Sequence, residues 1–190
     1  MTYEFSSLDE TTAPAAARPL VLGSKNKFGF IPSPVAKAAL SPGLLKHLFA
    51  SFAAFESSSV SSLEQEIIAM TVAFENQCHY CMAMHSALLT QKGAPAEMID
   101  ALRAGRPLAD RKHETLHQYV RAVLHHRGKP PASYLVAMSE AGYSETHLLD
   151  ITLGIGVYVL STLVNRLTAA PIDPVFAPFV WEPPSSTDQG

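Results

Sequence analysis

Residues 63–93 read LEQEIIAMTVAFENQCHYCMAMHSALLTQKG, and this stretch decides the fold of the chain. Apolar residues recur at three and four positions on both sides of Asn76 and Gln77, which predicts two helices separated by a short break. Gly93 marks the end of the second helix. The same spacing recurs in nearly every other segment between prolines and glycines, whereas the alternation typical of strands is almost absent. The sequence therefore predicts an all-α protein.

Six further helices follow from the same spacing, and serine, proline and glycine mark their ends. The strongest start signal stands before residue 63, because Ser61 or Ser62 can accept hydrogen bonds from the first free N–H groups. Glu64 and Glu66 then suit the positive end of the helix dipole. Two of the six helices are predicted within residues 32–56, and one each within 95–105, 110–128, 131–142 and 144–168.

Segment 145–166 resembles a second copy of segment 64–85. Both begin with an acid and run through an apolar helix to a kink about a dozen residues on. In this alignment Val159 and Thr162 take the places of the two cysteines, so only the first copy keeps the reactive thiols. The similarity predicts a weak internal repeat of a helix pair, although two buried helices of similar length would give the same pattern.

Length and composition indicate one main globular domain. The 190 residues are 47% hydrophobic and 16% charged, which suits one well-packed core. Residues 1–22 are predicted as a flexible lead-in and residues 23–170 as the helical domain. The proline-rich tail, residues 171–190, is expected to pack on its own or a neighbouring subunit. A net charge of −3, without Lys and Arg runs among aromatic residues, argues against a nucleic-acid partner.

The chain is predicted to be cytoplasmic, with no membrane partner. Residues 1–20 lack the basic and apolar regions of a secretory signal. The longest apolar stretch, residues 148–164, contains Asp150 and two glycines, which favours a buried core helix over a membrane span. Two cysteines are too few for a secreted disulfide scaffold.

The only two cysteines, Cys78 and Cys81, lie three positions apart, and His85 follows four positions later. Each residue of a helix advances about 100°, so the two thiols and the imidazole fall within roughly 60° of one another. Such a face permits a disulfide, a thiolate of low pKa near the helix N-terminus, and proton exchange with the imidazole. Glu66, on the preceding helix, could fold back and orient the ring of His85.

Five residues with the spacing E-x11-C-x2-C-x3-H resemble the active-site signature of alkyl hydroperoxidase D (AhpD)-like proteins, in the carboxymuconolactone decarboxylase-like superfamily. They are Glu66, Cys78, Tyr80, Cys81 and His85. The segments GFIPSP (29–34), SPGLLKHLFASFAAFE (41–56) and VNRLTAAPIDPVFAPFVWEPP (164–184) resemble the subgroup called peroxidase-related enzymes. The resemblance therefore covers most of the chain from about Gly23.

This resemblance implies an AhpD-like fold, homo-oligomers such as trimers or hexamers, and a thiol peroxidase site that needs no cofactor. Cys81 would attack the hydroperoxide substrate as a thiolate and become a sulfenic acid. Cys78 would resolve it to a disulfide, which an external dithiol would reduce. His85 and Glu66 would form the proton relay. Tyr80 stands where the best-studied members have a relay histidine, which leaves the length of the relay and the physiological substrate open.

Other functions remain open from the residues alone. Cys78, Cys81, His85 and Glu66 could together bind zinc, or the thiols could belong to a non-catalytic redox-responsive or metal-binding protein. The superfamily name also suggests a decarboxylase-like activity on a lactone or related carbon acid. Those decarboxylases do not depend on a CxxC pair, so the paired cysteines count against that activity.

Two other polar groups are interpreted as structural. A set of four histidines could be read as a metal cluster, but no carboxylate or cysteine completes it, and a solvated helix face is expected. These are His113, His117, His125 and His126. Asn165, Pro171 and Asp173 are expected to pack the last helix and the tail without a catalytic role.

Overall fold

The computed structural model describes residues 4–184 and confirms the all-α prediction. Over those residues the chain forms nine α-helices and one 3-10 helix, with no β-strand. The α-helices are α1 (Arg18–Phe28), α2 (Ser33–Ala38), α3 (Pro42–Glu56), α4 (Ser62–Glu75), α5 (His79–Gln91), α6 (Ala96–Ala104), α7 (Arg111–His125), α8 (Ala132–Glu140) and α9 (Glu145–Leu167). The 3-10 helix spans Pro174–Phe179 and is called η1 below. All eight predicted helices are present, and α1 is additional.

Helix α4 is the centre of the fold, because it packs against α5, α6, α7 and α9. Residues 67–73 are each at most 1% exposed, as expected for a helix that is apolar on nearly all sides. The predicted capping serine is Ser61. Its hydroxyl accepts the N–H of Glu64 at 3.4 Å, and the Glu64 carboxylate accepts the N–H of Ser61 at 3.0 Å.

The predicted break between the first two helices turns the chain back on itself. Helix α4 ends at Glu75, and Gln77 adopts a left-handed conformation with a φ of 52°. Cys78 then becomes the N-cap of α5, which packs against α4. The turn therefore places the start of α5, with Cys78 and Cys81, inside the protein.

The N-terminal segment differs from the flexible lead-in predicted for residues 1–22. Helix α1 begins inside this segment, and Ala13, Ala17 and Val21 are at most 1% exposed. These residues are spaced four apart and pack with Leu45 of α3 in a second, smaller core cluster. The stripe was overlooked because two of its three members are alanines, which add little hydropathy. The predicted domain boundaries themselves stay predictions.

The proline-rich tail packs on its own chain as far as residue 184, with η1 against α5. The Arg103 guanidinium donates hydrogen bonds to the carbonyl oxygens of Phe179 and Val180 at 3.1 and 2.9 Å. The indole of Trp181 donates to the carbonyl oxygen of Arg103 at 2.7 Å. These bonds hold a segment whose prolines cannot donate backbone hydrogen bonds. Residues 185–190, the end of the predicted tail, lie outside the described residues.

Helix α9 has 23 residues and packs against α3 and α4. It runs without a break, so the predicted second helix pair is wrong. No residue within it adopts the left-handed conformation by which Gln77 separates α4 from α5. By length and composition α9 is apolar enough to cross a membrane, a property shared by core helices. The predicted burial holds for one face only, because Leu149, Leu163 and Leu167 are 72%, 58% and 71% exposed.

The close packing of α3 on α9 requires glycine at position 154. A Cβ atom there would lie 2.4 Å from Cζ of Phe55, which is 1% exposed. Gly154→Ala should therefore lower the free energy of unfolding, measured in urea, by about 1–3 kcal/mol. Gly156→Ala is the matched control, since no atom lies within 4 Å of its Cβ position, and it should raise stability by up to about 1 kcal/mol. Equal stability of the two variants would contradict the packing argument.

Candidate active site

Both thiols lie buried at the start of α5, and neither forms a disulfide. Cys78 is the N-cap residue, and its sulfur accepts the backbone N–H of Cys81 at 3.4 Å. Because a helix N-terminus carries partial positive charge, it stabilises a negative sulfur at this position. The structure thus places the CxxC pair where the sequence predicted it, at the beginning of a helix.

Asn165 of α9 contacts both sulfurs, although the sequence analysis gave it only a packing role. Its side-chain Nδ2 lies 3.2 Å from the Sγ of Cys81 and 3.9 Å from the Sγ of Cys78. Asn165 is 3% exposed, so these sulfurs are the acceptors available to a buried amide. The structural interpretation of Asn165 was therefore incomplete, because the residue belongs to the surroundings of the thiols.

The surroundings of the thiols lower the pKa of Cys78 and raise the pKa of Cys81. Hydrogen bonds from the Cys81 thiol, the Cys81 N–H and the Asn165 amide outweigh burial and lower the pKa of Cys78 from 9.0 to about 7. Donation to Cys78, together with burial, raises the pKa of Cys81 well above 9.0. The two thiols therefore behave as a pair that loses its first proton near neutral pH, with the charge resting mainly on Cys78.

Glu66 and His85 form the predicted buried pair between α4 and α5. Oε2 of Glu66 lies 2.7 Å from Nδ1 of His85, and the two residues are 7% and 3% exposed. Lys92, at the end of α5, donates to the other carboxylate oxygen at 2.7 Å. Burial tends to raise the pKa of Glu66, but the charge and hydrogen bond of His85 and those of Lys92 lower it to about 2. Glu66 is therefore an anion that fixes the ring of His85.

The hydroxyl of Tyr80 is directed to the tail rather than to a relay. It donates to Oδ2 of Asp173 at 2.7 Å. Asp173 also accepts the N–H and the hydroxyl of Ser33, at 3.1 and 2.6 Å. Burial and the bond to Asp173 raise the pKa of Tyr80, so the phenol remains a hydrogen-bond donor. Tyr80 thereby connects the CxxC turn with α2 and the tail.

Two further residues of α9 surround the site, and sequence reasoning missed both. Tyr158 packs edge-on against the ring of His85, with centroids 5.2 Å apart. Burial raises the pKa of Tyr158. Against the larger effects of Cys78 and burial, Ser161 tends to lower the pKa of Cys81. With Asn165, they form a polar stripe at positions i, i+3 and i+7 of an otherwise apolar helix. This spacing of polar residues was the feature of the sequence that could have identified them.

The four histidines near α7 do not come together as a cluster. Within residues 4–184, no group of three or more His, Cys, Asp or Glu side chains is arranged to hold a metal ion. His117 contacts Glu114 at 3.3 Å, and His125 contacts Glu75 at 2.7 Å. His117 is 2% exposed, so the predicted solvated face does not include it, and burial lowers its pKa.

The α4 and α5 part of the candidate active site lies in a segment with family similarity. Residues 42–110 match the model of the Carboxymuconolactone decarboxylase family. This range contains Glu66, both cysteines and His85. No curated protein has a matching sequence.

Solved structures share the fold over most of the chain. A peroxidase-related protein from Ralstonia eutropha JMP134, with an alkylhydroperoxidase AhpD core, has a TM-score of 0.81 at 19% identity, over 91% of this chain and 93% of that chain. A peroxidase-related protein from Silicibacter sp. TM1040 has a TM-score of 0.74 at 20% identity, over 93% and 97%. The debrominase Bmp8 has a TM-score of 0.75 at 16% identity, over 93% and 95%.

At these identities the solved structures establish a common fold. The family match covers the part of that fold that carries the cysteines, Glu66 and His85. The chain thus shares the fold of AhpD-core and peroxidase-related proteins, and its residues 42–110 are similar to the Carboxymuconolactone decarboxylase family.

Proposed function

We propose that the protein is a thiol-dependent peroxidase that reduces organic hydroperoxides through a disulfide cycle of Cys78 and Cys81. The observation that carries the proposal is the buried thiol pair at the start of α5, whose sulfurs lie 3.9 and 3.2 Å from the side-chain amide of Asn165. Such a pair supplies a nucleophilic thiolate and a second thiol that can close a disulfide. The common fold with peroxidase-related and AhpD-core proteins supports the same class of reaction.

The proposed cycle needs only the peroxide and an external dithiol. A thiolate sulfur attacks one peroxide oxygen, the O–O bond breaks, and an alkoxide leaves and takes up a proton. The sulfur becomes a sulfenic acid while the peroxide is reduced to an alcohol. The second thiol then attacks the sulfenic sulfur, water leaves, and a disulfide forms. Exchange with the external dithiol restores both thiols.

Electrostatics and the family resemblance favour different cysteines for the attack. The negative charge rests mainly on Cys78, whereas the resemblance makes Cys81 the attacking residue. Both cysteines are buried, and Cys81 contacts Asn165 at 3.2 Å. We assign the attack to Cys81, as the family resemblance implies, with its proton passing to Cys78 through the hydrogen bond between the thiols. Cys78 then closes the disulfide.

His85 is assigned to protonate the leaving alkoxide. Glu66 holds its ring inside the protein, and a chain of hydrogen bonds continues from Glu66 to the partly exposed Lys92. This chain connects the buried imidazole with the surface, where the proton can be replaced. Tyr80 is assigned as a positioning residue, because its hydroxyl is engaged by Asp173.

Reductive debromination is a second candidate, because the debrominase Bmp8 has the same fold. One structure of that protein, a cysteine variant, contains 2,3,4-tribromopyrrole. Replacing a C–Br bond by C–H consumes two electrons and releases bromide, and conversion of two thiols to a disulfide supplies two electrons. The thiol pair therefore suits both reactions. A decarboxylase-like reaction on a carbon acid would leave the thiols without a role.

A thiol count before and after one equivalent of tert-butyl hydroperoxide tests the cycle on reduced, metal-stripped protein. The native protein should lose both thiols, and Cys81→Ser should keep its remaining thiol. His85→Ala should lose its thiols roughly 100-fold more slowly or worse, because the leaving alkoxide has no positioned acid. Tyr80→Phe should slow the loss far less than His85→Ala, because it keeps the ring packed on Phe176 and removes only the hydrogen bond to Asp173.

Native thiols that survive the peroxide would overturn the peroxidase proposal. A parallel incubation with 2,3,4-tribromopyrrole then distinguishes the second candidate. Bromide release with loss of both thiols supports debromination. Thiols that survive both reagents would favour a carbon-acid substrate or a non-catalytic role.

Asn165 should control the ionisation of the pair. The rate of alkylation by iodoacetamide should rise through a midpoint near pH 7, because the pKa of Cys78 is about 7. Asn165→Asp replaces a donor with a carboxylate that repels the thiolate, so the midpoint should rise by at least about 1 pH unit. Asn26→Asp adds the same charge at an exposed position of α1 and should leave the midpoint in place. An unmoved midpoint in Asn165→Asp would exclude this role.

We also propose that the protein forms homo-oligomers, trimers or hexamers, through the exposed face of α9. Leu149, Leu163 and Leu167 lie on one side of the helix, since 14 and 18 residues are close to whole turns. The three leucines form an apolar surface that a second copy of the chain could cover.

Charge on this face should prevent self-association. Leu163→Lys should sediment at a lower mass than the native protein, with an unchanged helical circular dichroism spectrum, because the ammonium would have to be buried without a partner. Leu40→Lys is the control, since Leu40 is 44% exposed and lies outside α9. A native protein that sediments as a monomer would refute the proposed interface.

A further inference from the structure

A small apolar cleft of about 60 Å³ lies between α2, α3 and α9. Val35 of α2, Phe49 of α3 and Val164 of α9 are among the apolar residues that line it. Of all its lining residues only Ser161 and Asn165 are polar, and both belong to α9. The cleft therefore has apolar walls and a single polar side.

The polar side of the cleft meets the thiol pair. Nδ2 of Asn165 lies 3.2 Å from the Sγ of Cys81 and 3.9 Å from the Sγ of Cys78. Cys81 itself does not line the cleft, so Asn165 is the side chain that joins the cleft to the thiol pair.

The apolar wall also borders the surroundings of the imidazole. Phe52 lines the cleft and packs against Tyr158, with ring centroids 5.7 Å apart. Tyr158 in turn packs edge-on against His85 at 5.2 Å. The cleft thus adjoins the amide contact of the proposed nucleophile on one side and the aromatic contact of the proposed acid on the other.

We propose that this cleft binds the organic group of a small, neutral, apolar substrate and presents its reactive end to Cys81. This inference rests on the proposed dithiol function and names the substrate class of that site.

The lining determines the charge of the molecule that can bind. No charged side chain lines the cleft, so a carboxylate or phosphate would lose hydration without gaining a counter-ion. A neutral hydroperoxide or alcohol group can instead accept from the amide of Asn165 and exchange hydrogen bonds with Ser161.

The volume determines the size of the substrate. The cleft of about 60 Å³ has roughly twice the share of one water molecule in the liquid, which is room for two or three heavy atoms. Val35 and Phe49 are half-buried, so their side chains can turn aside to admit a group the size of tert-butyl, and larger groups are excluded.

A larger cleft of about 350 Å³ lies between α7 and α8, but it does not suit this role. Arg111, Lys112 and Glu140 line it, so its walls are charged. None of the residues that contact the thiols or His85 belongs to it. Of these two clefts, only the apolar one is therefore connected to the active site.

Binding can be measured apart from turnover in full-length protein with Cys78→Ser and Cys81→Ser combined. The neutral probe is tert-butyl alcohol, which is the reduction product of tert-butyl hydroperoxide. The charged probe is pivalate, which carries the same tert-butyl group on a carboxylate. Each is titrated into the protein while amide and methyl NMR shifts are recorded. The alcohol should shift signals of α2, α3 and α9, and pivalate at equal concentration should not.

Two matched variants in this background assign the site. Val35→Phe fills the cleft and should weaken alcohol binding roughly tenfold or more. Val136→Phe makes the same change at a 56% exposed position of α8 and should bind like the parent. Equal binding by Val35→Phe and Val136→Phe, or shifts confined to α7 and α8, would overturn the assignment. Equal binding of alcohol and pivalate would overturn the proposed substrate class.

The failure of this inference is distinguishable from the failure of the proposed function. If native protein loses its thiols to tert-butyl hydroperoxide but Val35→Phe reacts at the native rate, the peroxidase proposal stands and the cleft assignment falls. If the alcohol binds in the cleft but the native thiols survive the peroxide, the cleft is a binding site and the peroxidase proposal falls.

Discussion

The contact of the Asn165 amide with the two sulfurs is the interaction on which the site depends. A buried amide without an acceptor costs about 1–3 kcal/mol, and a buried thiolate without a donor is costlier still. The Asn165 amide and the thiolate therefore require each other, although Cys81 and Asn165 are 84 positions apart in sequence. This mutual requirement explains why α5 begins against α9 and why Cys78, a weak capping residue, occupies the N-cap position.

Helix α4 carries two buried carboxylates, and their partners give them different roles. Glu64 accepts hydrogen bonds from Tyr143 and Lys112, each at 2.8 Å, and together with Ser61 these partners outweigh burial and lower its pKa to about 2. Its charge is thus used to join α4 with the segment before α9 and with α7. Glu66 lies two residues later and therefore faces another side of the helix, where it meets His85. Helix α4 therefore carries one carboxylate with a structural role, Glu64, and one that belongs to the proposed relay, Glu66.

The sequence predicted what depends on local pattern. Helix spacing, the cap at Ser61, the break before Cys78 and the pairing of Glu66 with His85 all follow from periodicity or from the family signature. The partner of Tyr80 could not be predicted in this way, since Asp173 lies 93 positions away and its approach depends on how the tail folds over α5. The same limit applies to Asn165, because an amide in an apolar helix indicates that some buried partner exists but does not identify it. The alanine stripe that anchors α1 was missed for a different reason, since its packing depends on shape more than on hydropathy.

The bonds that stabilise the thiolate also bear on the disulfide. Donors aimed at a negative sulfur lose most of their electrostatic value when the pair oxidises, because a disulfide carries no charge and is a weak acceptor. Stabilisation of the reduced pair raises its reduction potential, so the oxidised form is reduced more readily by an external dithiol. In the proposed cycle Asn165 and the start of α5 would therefore assist two steps, because they favour ionisation before the attack and regeneration after it. The second effect matters in that cycle because both cysteines are buried, and a disulfide of higher reduction potential can be reduced by a wider range of dithiols.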